Sequence, residues 1–170
     1  MRGISFFLAS LLILFLLLTC IGLFLPARVT ISRAVDIARS RESVYPFLSE
    51  PARWRQWFPG AADWPLVKTN GQTVGIATPN GNTLLIKLQD DSTVVVQGLQ
   101  AASIDGDMGF KLIGSPADRH LTVQWYMNFY FDWYPWERFS SLLLENKFGT
   151  IMEQGLKQLE QQVQSDARTN

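Results

Sequence analysis

Side chains able to do acid–base or nucleophilic chemistry are few in this chain. It holds one histidine, His120, and one cysteine, Cys20, among 170 residues. So small a stock assembles neither a Ser/His/Asp nor a Cys/His arrangement, and it excludes a His/Cys zinc site of ordinary ligand count. No glycine loop of the kind that cradles phosphate is present, nor a carboxylate cluster with metal-ligand spacing. His120 precedes Leu121 in a stretch whose alternation turns it outwards, and the same count turns Asp132 outwards. Asp107 and Glu137 are rim candidates of a type that is usually solvated surface. Arg33 shares a face with Val29, Ile31 and Val35. It can reach a carboxylate or an anionic ligand head, or run its stem along the sheet end and place its head in water. No catalytic residue, metal or cofactor is expected. What remains is apolar recognition.

The residues for that are aromatic. In ARWRQWFPG (52–60), Trp54, Trp57 and Phe58 fall on one face of a helical turn, and Arg53, Arg55 and Gln56 on the other. A strand reads from Leu121 to Asp132, with Leu121, Val123, Trp125, Met127, Phe129 and Phe131 on its apolar face. From Pro135 the chain runs helically to about Gln164, with Phe148, Ile151, Met152, Gly155, Leu156, Leu159 and Val163 as one stripe. Gly149 is a place for a kink, and Gly155 a place for close approach to the sheet.

These elements need a frame, and the turns supply one. Val29 to Ile37 alternates as a first strand; Ser40 and then Ser49 with Pro51 open two short helices. Asn70-Gly71, Asn80-Gly81 and Asp105-Gly106 read as hairpin dipeptides, and Asp90-Asp91 and Gly114-Ser115-Pro116 as further turns. Together they cut residues 64–132 into about six strands, seven with the first. In STVVVQ, either Thr93, Val95 and Gln97 or Val94 and Val96 face inwards; the pattern does not choose. The fold class is α+β: an antiparallel sheet wrapped on a long C-terminal helix.

Charge and hydropathy bound the partners. Fifteen basic and fifteen acidic residues cancel, with no basic stripe for nucleic acid. Ile4 to Leu25 carries no charge; as a helix it is about 33 Å long, enough for a hydrocarbon core of about 30 Å. It is too long for a signal-peptide core of about 7–15 residues. LLTC followed by apolar Ile21 to Phe24 does not support lipidation, and Cys20 reads as a small hydrophobe. The expected layout is a single-pass anchor over 1–27 and a domain over 28–170, separated by Pro26 and Ala27 and so close against the bilayer. Arg28, Arg33, Arg39 and Arg41 lean towards a cytoplasmic domain, but a following domain can be translocated regardless, so the side stays open.

The front string VTISRAVDIARSRESVYPFLSEPARWRQWFPG places Val44-Tyr45 seven residues after Ile37, then Trp54-x-x-Trp57-x-Pro59; the back string FGTIMEQGLKQLEQ holds Gly155-Leu156-x-x-Leu159. Both strings, and the order of elements, resemble the START-like (SRPBCC, polyketide cyclase/dehydrase-like) superfamily of helix-grip proteins over the whole soluble part. Ala38-Arg39 stands where relatives often have Ala-Pro, which bears on that turn alone. Longer relatives carry an effector-binding-type domain after the helix, and this chain ends too early for one.

The resemblance implies a deep apolar cavity between sheet and helix, closed at one end by the short helices. Its expected lining is Trp54, Trp57, Phe58, Trp125, Met127, Phe129, Met152 and Leu156, with Arg33 as a polar contact. The plainer reading makes the aromatics core plugs. Three functions follow: a membrane-anchored, non-catalytic binder of a hydrophobic small molecule or lipid; a cyclase or dehydratase on an apolar substrate; or a tethered protein-interaction module. Tyr126, Tyr130, Trp133, Tyr134 and Trp136 are either ordinary outer-face and loop aromatics or an interfacial belt.

Overall fold

The uncharged N-terminal run forms one helix, α1 (Arg2–Leu23), whose segment Gly3–Leu23 is long and apolar enough to cross a membrane. The computed structural model describes residues 2–101, 104–115 and 119–169. Phe24 and Leu25 close α1 by donating back to the Ile21 and Gly22 carbonyls. Ala27 is then held directly, because Phe131 donates its backbone N–H to the Ala27 carbonyl at 2.9 Å.

Seven strands follow: β1 (Arg28–Ile37), β2 (Leu66–Thr69), β3 (Gln72–Ala77), β4 (Thr83–Gln89), β5 (Thr93–Ala101), β6 (Ile104–Ile113) and β7 (Leu121–Tyr130). They form one antiparallel sheet in the order β1-β7-β6-β5-β4-β3-β2. The β1–β7 register runs unbroken from Arg28 opposite Tyr130 to Ile37 opposite Leu121, so the two cleanest alternations in the sequence are partners. Between β1 and β2 lie α2 (Arg41–Ser49) and α3 (Pro51–Trp57). Pro51 takes the first turn of α3, as expected, but Glu50 rather than Ser49 is its N-cap. The last element, α4 (Pro135–Thr169), runs unbroken through Gly149 and past Gln164.

Two turn readings change. Asn70 and Gly71 both have positive φ, 52° and 81°, as a type I′ turn requires. At Asn80-Gly81 only the glycine does; Thr78 and Asn82 close a wider loop, with the Thr78 N–H donating to the Asn82 carbonyl at 2.7 Å. Asp105-Gly106 is no turn at all and lies inside β6. Gly106 is there because a Cβ would come within 2.5 Å of the Asn128 carbonyl on the neighbouring strand. Asp90 turns the β4–β5 hairpin: its Oδ1 accepts the N–H groups of Ser92 and Thr93, which holds its carboxyl below the usual range. Pro116 lies outside the described residues.

The alternation of β5 resolves towards Val94 and Val96, both buried. It then breaks. Between Gln97 and Leu99 the register slips by one residue, and Gly98 takes φ 92° there. This bulge sends Leu99 to the covered face of the sheet, which bears directly on the site.

Candidate functional site

One end of the sheet–helix interior is hollow. A cavity of about 340 Å³ lies between α4, strands β4, β5 and β7 and the loop that follows β3, at the lower end of the range for small-molecule pockets, about 300–1,000 Å³. Buried Phe58, Leu84 and Met127 form its floor. Phe148 and Ile151 of α4 and Leu99 after the bulge are its walls; Pro59 and Trp64 close it on the α3 side. Thr78, Asn80, Asn82 and Gln100 line the rim. Much of the rim is already engaged: the Thr78 hydroxyl donates to the Asn82 carbonyl at 3.1 Å, and the Gln100 amide to Asp105 at 3.1 Å. No carboxylate, imidazole, phenol, thiol or cationic group is among the lining residues.

The other end is solid, and it holds most of the residues expected to line a cavity. Phe58 and Met127 border the hollow; Trp54, Trp57, Trp125, Phe129, Met152 and Leu156 are not among its lining residues. Trp54 and Trp125 are fully buried and Trp57 nearly so. Each α3 indole is pinned by its own N–H: Trp54 Nε1 donates to the Leu48 carbonyl at 2.8 Å and Trp57 Nε1 to the Phe47 carbonyl at 2.9 Å. These bonds tie α3 back to α2 and leave the rings no freedom to act as shutters. Around Trp57 the rings of Phe58, Phe110 and Trp125 sit at 5.9, 5.5 and 5.8 Å, all edge-to-face, the arrangement aromatic quadrupoles favour. Met152 and Leu156 press on this plug from α4, and Gly155 brings the helix in: a Cβ there would lie 2.7 Å from Trp125 and 2.9 Å from Pro59. Phe129 is taken up by Phe148, ring to ring at 4.9 Å. The Trp125 Nε1–H is buried without a hydrogen-bond partner among the described residues.

Of the partners open to Arg33, the structure shows carboxylates. Its guanidinium reaches Glu145 at 2.6 Å and Glu153 at 2.7 Å, and both carboxylates raise its already high pKa, Glu145 most. The three α4 positions 145, 149 and 153 stack on one face. Gly149 is the empty middle one, where a Cβ would sit 2.5 Å from Arg33 Nη2. Arg33 therefore clasps β1 to α4 and is not among the residues that line the cavity. Its partners lie more than a hundred positions away in sequence, so no local pattern could name them.

The remaining chemical candidates sit outside. Asp107 lies on the outer face of the sheet, accepting from Asn128 Nδ2 at 2.8 Å and the Tyr130 hydroxyl at 3.1 Å; Asn128 Oδ1 accepts in turn from Thr30. Burial, and then the Asp107 charge, push the Tyr126 and Tyr130 phenols above their usual value. His120 and Asp132 are exposed, and Glu137 accepts the Asp132 N–H at the start of α4. Among the described residues no group of three or more His, Cys, Asp or Glu side chains is gathered as a metal centre would need.

The residues missed at the site are Pro59, Trp64, Leu84, Leu99, Phe148 and Ile151. A lone glycine inside a strand, Gly98, is a bulge signal and would have redirected Leu99 inwards. Phe148 and Ile151 stood in the α4 stripe, but the stripe alone does not say which of its turns faces packed rings and which faces space.

No curated protein matches this chain. Solved structures do, at low identity. A START superfamily protein from Mycobacterium smegmatis aligns with TM-score 0.59 at 15% identity, over 80% of this chain and 97% of its own. Norcoclaurine synthase from Thalictrum flavum, as a point mutant with a transition-state analogue, aligns with TM-score 0.60 at 12% identity, over 82% and 96%. The di-domain ARO/CYC StfQ from the steffimycin biosynthetic pathway aligns with TM-score 0.61 at 10% identity, over 83% of this chain and 52% of that one. At such identities the likeness is one of fold: the helix grip of START-like proteins. The family model described as polyketide cyclase / dehydrase and lipid transport matches residues 28–164, from the first residue of β1 to deep in α4, and the chain belongs to that family.

Proposed function

We propose that the chain is a membrane-anchored binding module that holds a hydrophobic small molecule or lipid in the cavity beside Phe148 and Ile151, without catalysing a reaction on it. The observation that carries this reading is the lining itself: aromatic and aliphatic walls, amides at the rim, and no titratable side chain. Affinity then comes from burying apolar ligand surface, at roughly 25 cal/mol per Å², and orientation from the rim amides. The family description, which includes lipid transport, points the same way, and α1 supplies an anchor of sufficient length. Residues 1–27 act as the anchor and 28–170 as the binding domain.

The enzymatic reading draws on the cyclase / dehydrase part of the family description and on relatives such as norcoclaurine synthase. It requires an acid–base pair reaching the ligand, and the cavity walls supply none.

The test is a titration of the detergent-solubilised full chain with an apolar fluorescent probe, together with native mass spectrometry for co-purified ligand. Ile151→Trp fills the hollow from the helix side and is expected to weaken the probe at least about tenfold, roughly 1.4 kcal/mol, with the fold intact by circular dichroism. Equal binding by both proteins, or by neither, overturns the reading.

A further inference from the structure

The cavity, the anchor junction and an exposed aromatic tip lie at the same end of the molecule. Register places them. Arg28, first residue of β1, is opposite Tyr130; Tyr130 is opposite Asp105, and Asp105 opposite Gln100. Across the bulge, Gly98 lies against the Thr83 carbonyl, and Thr83 is opposite Ala77. The rim residues Thr78, Asn80, Asn82 and Gln100 therefore sit at the sheet end where the chain arrives from α1.

The start of α4 overhangs this end. Phe148 meets Phe129 near the last rung of β7 and Glu145 still reaches Arg33 in β1, so it is the first turns of α4 that lie towards α1. Three contacts, taken in order, show which way the overhang points. Phe131 is bonded to Ala27; Arg138 Nη1 donates to the Leu25 carbonyl at 2.8 Å; and Pro135 packs on Gly22, where a Cβ would be 3.3 Å from the Pro135 Cα. From residue 131 to 135 the chain passes along the last turn of α1, and Arg138 packs on Gly22 beside Pro135, its Cβ 3.7 Å from where a Gly22 Cβ would lie. The tip is Trp133-Tyr134-Pro135-Trp136, level with the apolar end of α1. Trp133 and Trp136 are 53% and 60% exposed, and the Tyr134 and Trp136 rings stack at 4.9 Å. Leu142 and Leu143, further along the overhang, are 62% and 68% exposed. Indole and phenol rings at this level fit the headgroup layer, where an apolar body and a polar edge are both satisfied.

We infer that the Trp133–Trp136 tip is seated in the headgroup layer of the bilayer that α1 crosses, that it holds the cavity rim against that leaflet, and that the occupant is an acyl chain of a lipid taken directly from it. This rests on the anchor and cavity of the proposed function and names the source of the ligand. A volume of about 340 Å³ suits one chain or part of one, not a whole phospholipid.

The experiment uses the full chain in phosphatidylcholine vesicles whose acyl chains are brominated, near the headgroup in one set and near the chain end in another. Bromine quenches nearby tryptophan fluorescence on contact. Trp133→Phe with Trp136→Phe is expected to remove at least about half of the headgroup-level quenching seen with the unaltered chain. Trp64→Phe is expected to remove quenching from the chain-end set, because Trp64 lines the cavity. Unchanged quenching in the double variant overturns the seated tip. Unchanged quenching in Trp64→Phe, with soluble probe still bound in detergent, overturns uptake from the leaflet and leaves the binding reading standing. Absence of probe binding by the unaltered chain in detergent removes the binding reading itself, and release of the chain from vesicles by alkaline carbonate removes the anchor.

Discussion

The packed and the hollow ends of this interior are built from the same strands and the same helix, and they differ in what a side chain there is for. At the packed end Trp54, Trp57, Phe110 and Trp125 fill the space between sheet and α4, and Gly155 draws the helix onto them. At the hollow end the helix offers Phe148 and Ile151, the sheet offers Leu84 and Leu99, and nothing fills the gap. The lesson is that the densest ring cluster packs one end solid, and the mixed aromatic and aliphatic wall at the other end is what the proposed binding would use. Concentrating ring bulk at one end anchors α2, α3 and α4 together and lets the other end stay open without collapse.

That division can be broken by substitution. Trp57→Ala removes a buried ring and the bond to the Phe47 carbonyl, and is expected to cost about 3–5 kcal/mol. Ile151→Ala, at the half-buried cavity wall, is expected to cost under about 1 kcal/mol; denaturant titrations of the full chain in detergent compare them. Equal costs would erase the distinction between the two ends. A finer contrast lies within the plug. Trp57→Phe and Trp125→Phe lose the same ring volume, but the first strands the Phe47 carbonyl and the second removes an N–H that has no partner. Trp57→Phe should therefore be the more destabilising by about 1–3 kcal/mol.

Smaller effects belong to the polar exterior. Arg33→Ala is expected to change stability by about 0–1 kcal/mol, because both of its carboxylate partners are exposed, and to leave probe binding unchanged. Loss of the probe would return Arg33 to the site. The phenols give the smallest signal. Tyr126 and Tyr130 are raised by burial and then by Asp107, so the fold favours their neutral forms. Their contribution is present below the ordinary tyrosine value and is lost as pH rises through the raised one. Asp107→Asn should move the phenolate absorbance titration to lower pH, and an unmoved curve would show that the Asp107 charge is not felt.

Much of the fold was legible because period-two and helical patterns report burial on one face. The alternation from Leu121 to Phe131 and the stripe from Phe148 to Val163 were enough to lay α4 on the sheet. The site was less legible, for physical reasons that differ by residue. Trp54, Trp57 and Trp125 were read as cavity lining because a ring's hydrophobicity looks the same against other rings as against empty space. Leu99 was missed because one bulged residue, Gly98, reverses every facing after it. Gly106 was read as a turn because glycine serves both positive φ and close strand approach, and only the neighbouring Asn128 carbonyl tells them apart. Arg33 had its partner class named in advance as one of two options, but not its partners.

The Arg33 clasp also bears on how copies of this protein tolerate one another. An unpaired flank of a sheet recruits a neighbour's backbone into a shared ladder when copies of a chain meet in matching orientation. β1 is such a flank, ten residues long, and α4 lies closer to it than to any other strand, fastened through Glu145 and Glu153. The opposite flank, β2, has only four residues and a register slip. Sealing one border and shortening the other leaves crowded copies little to polymerise through.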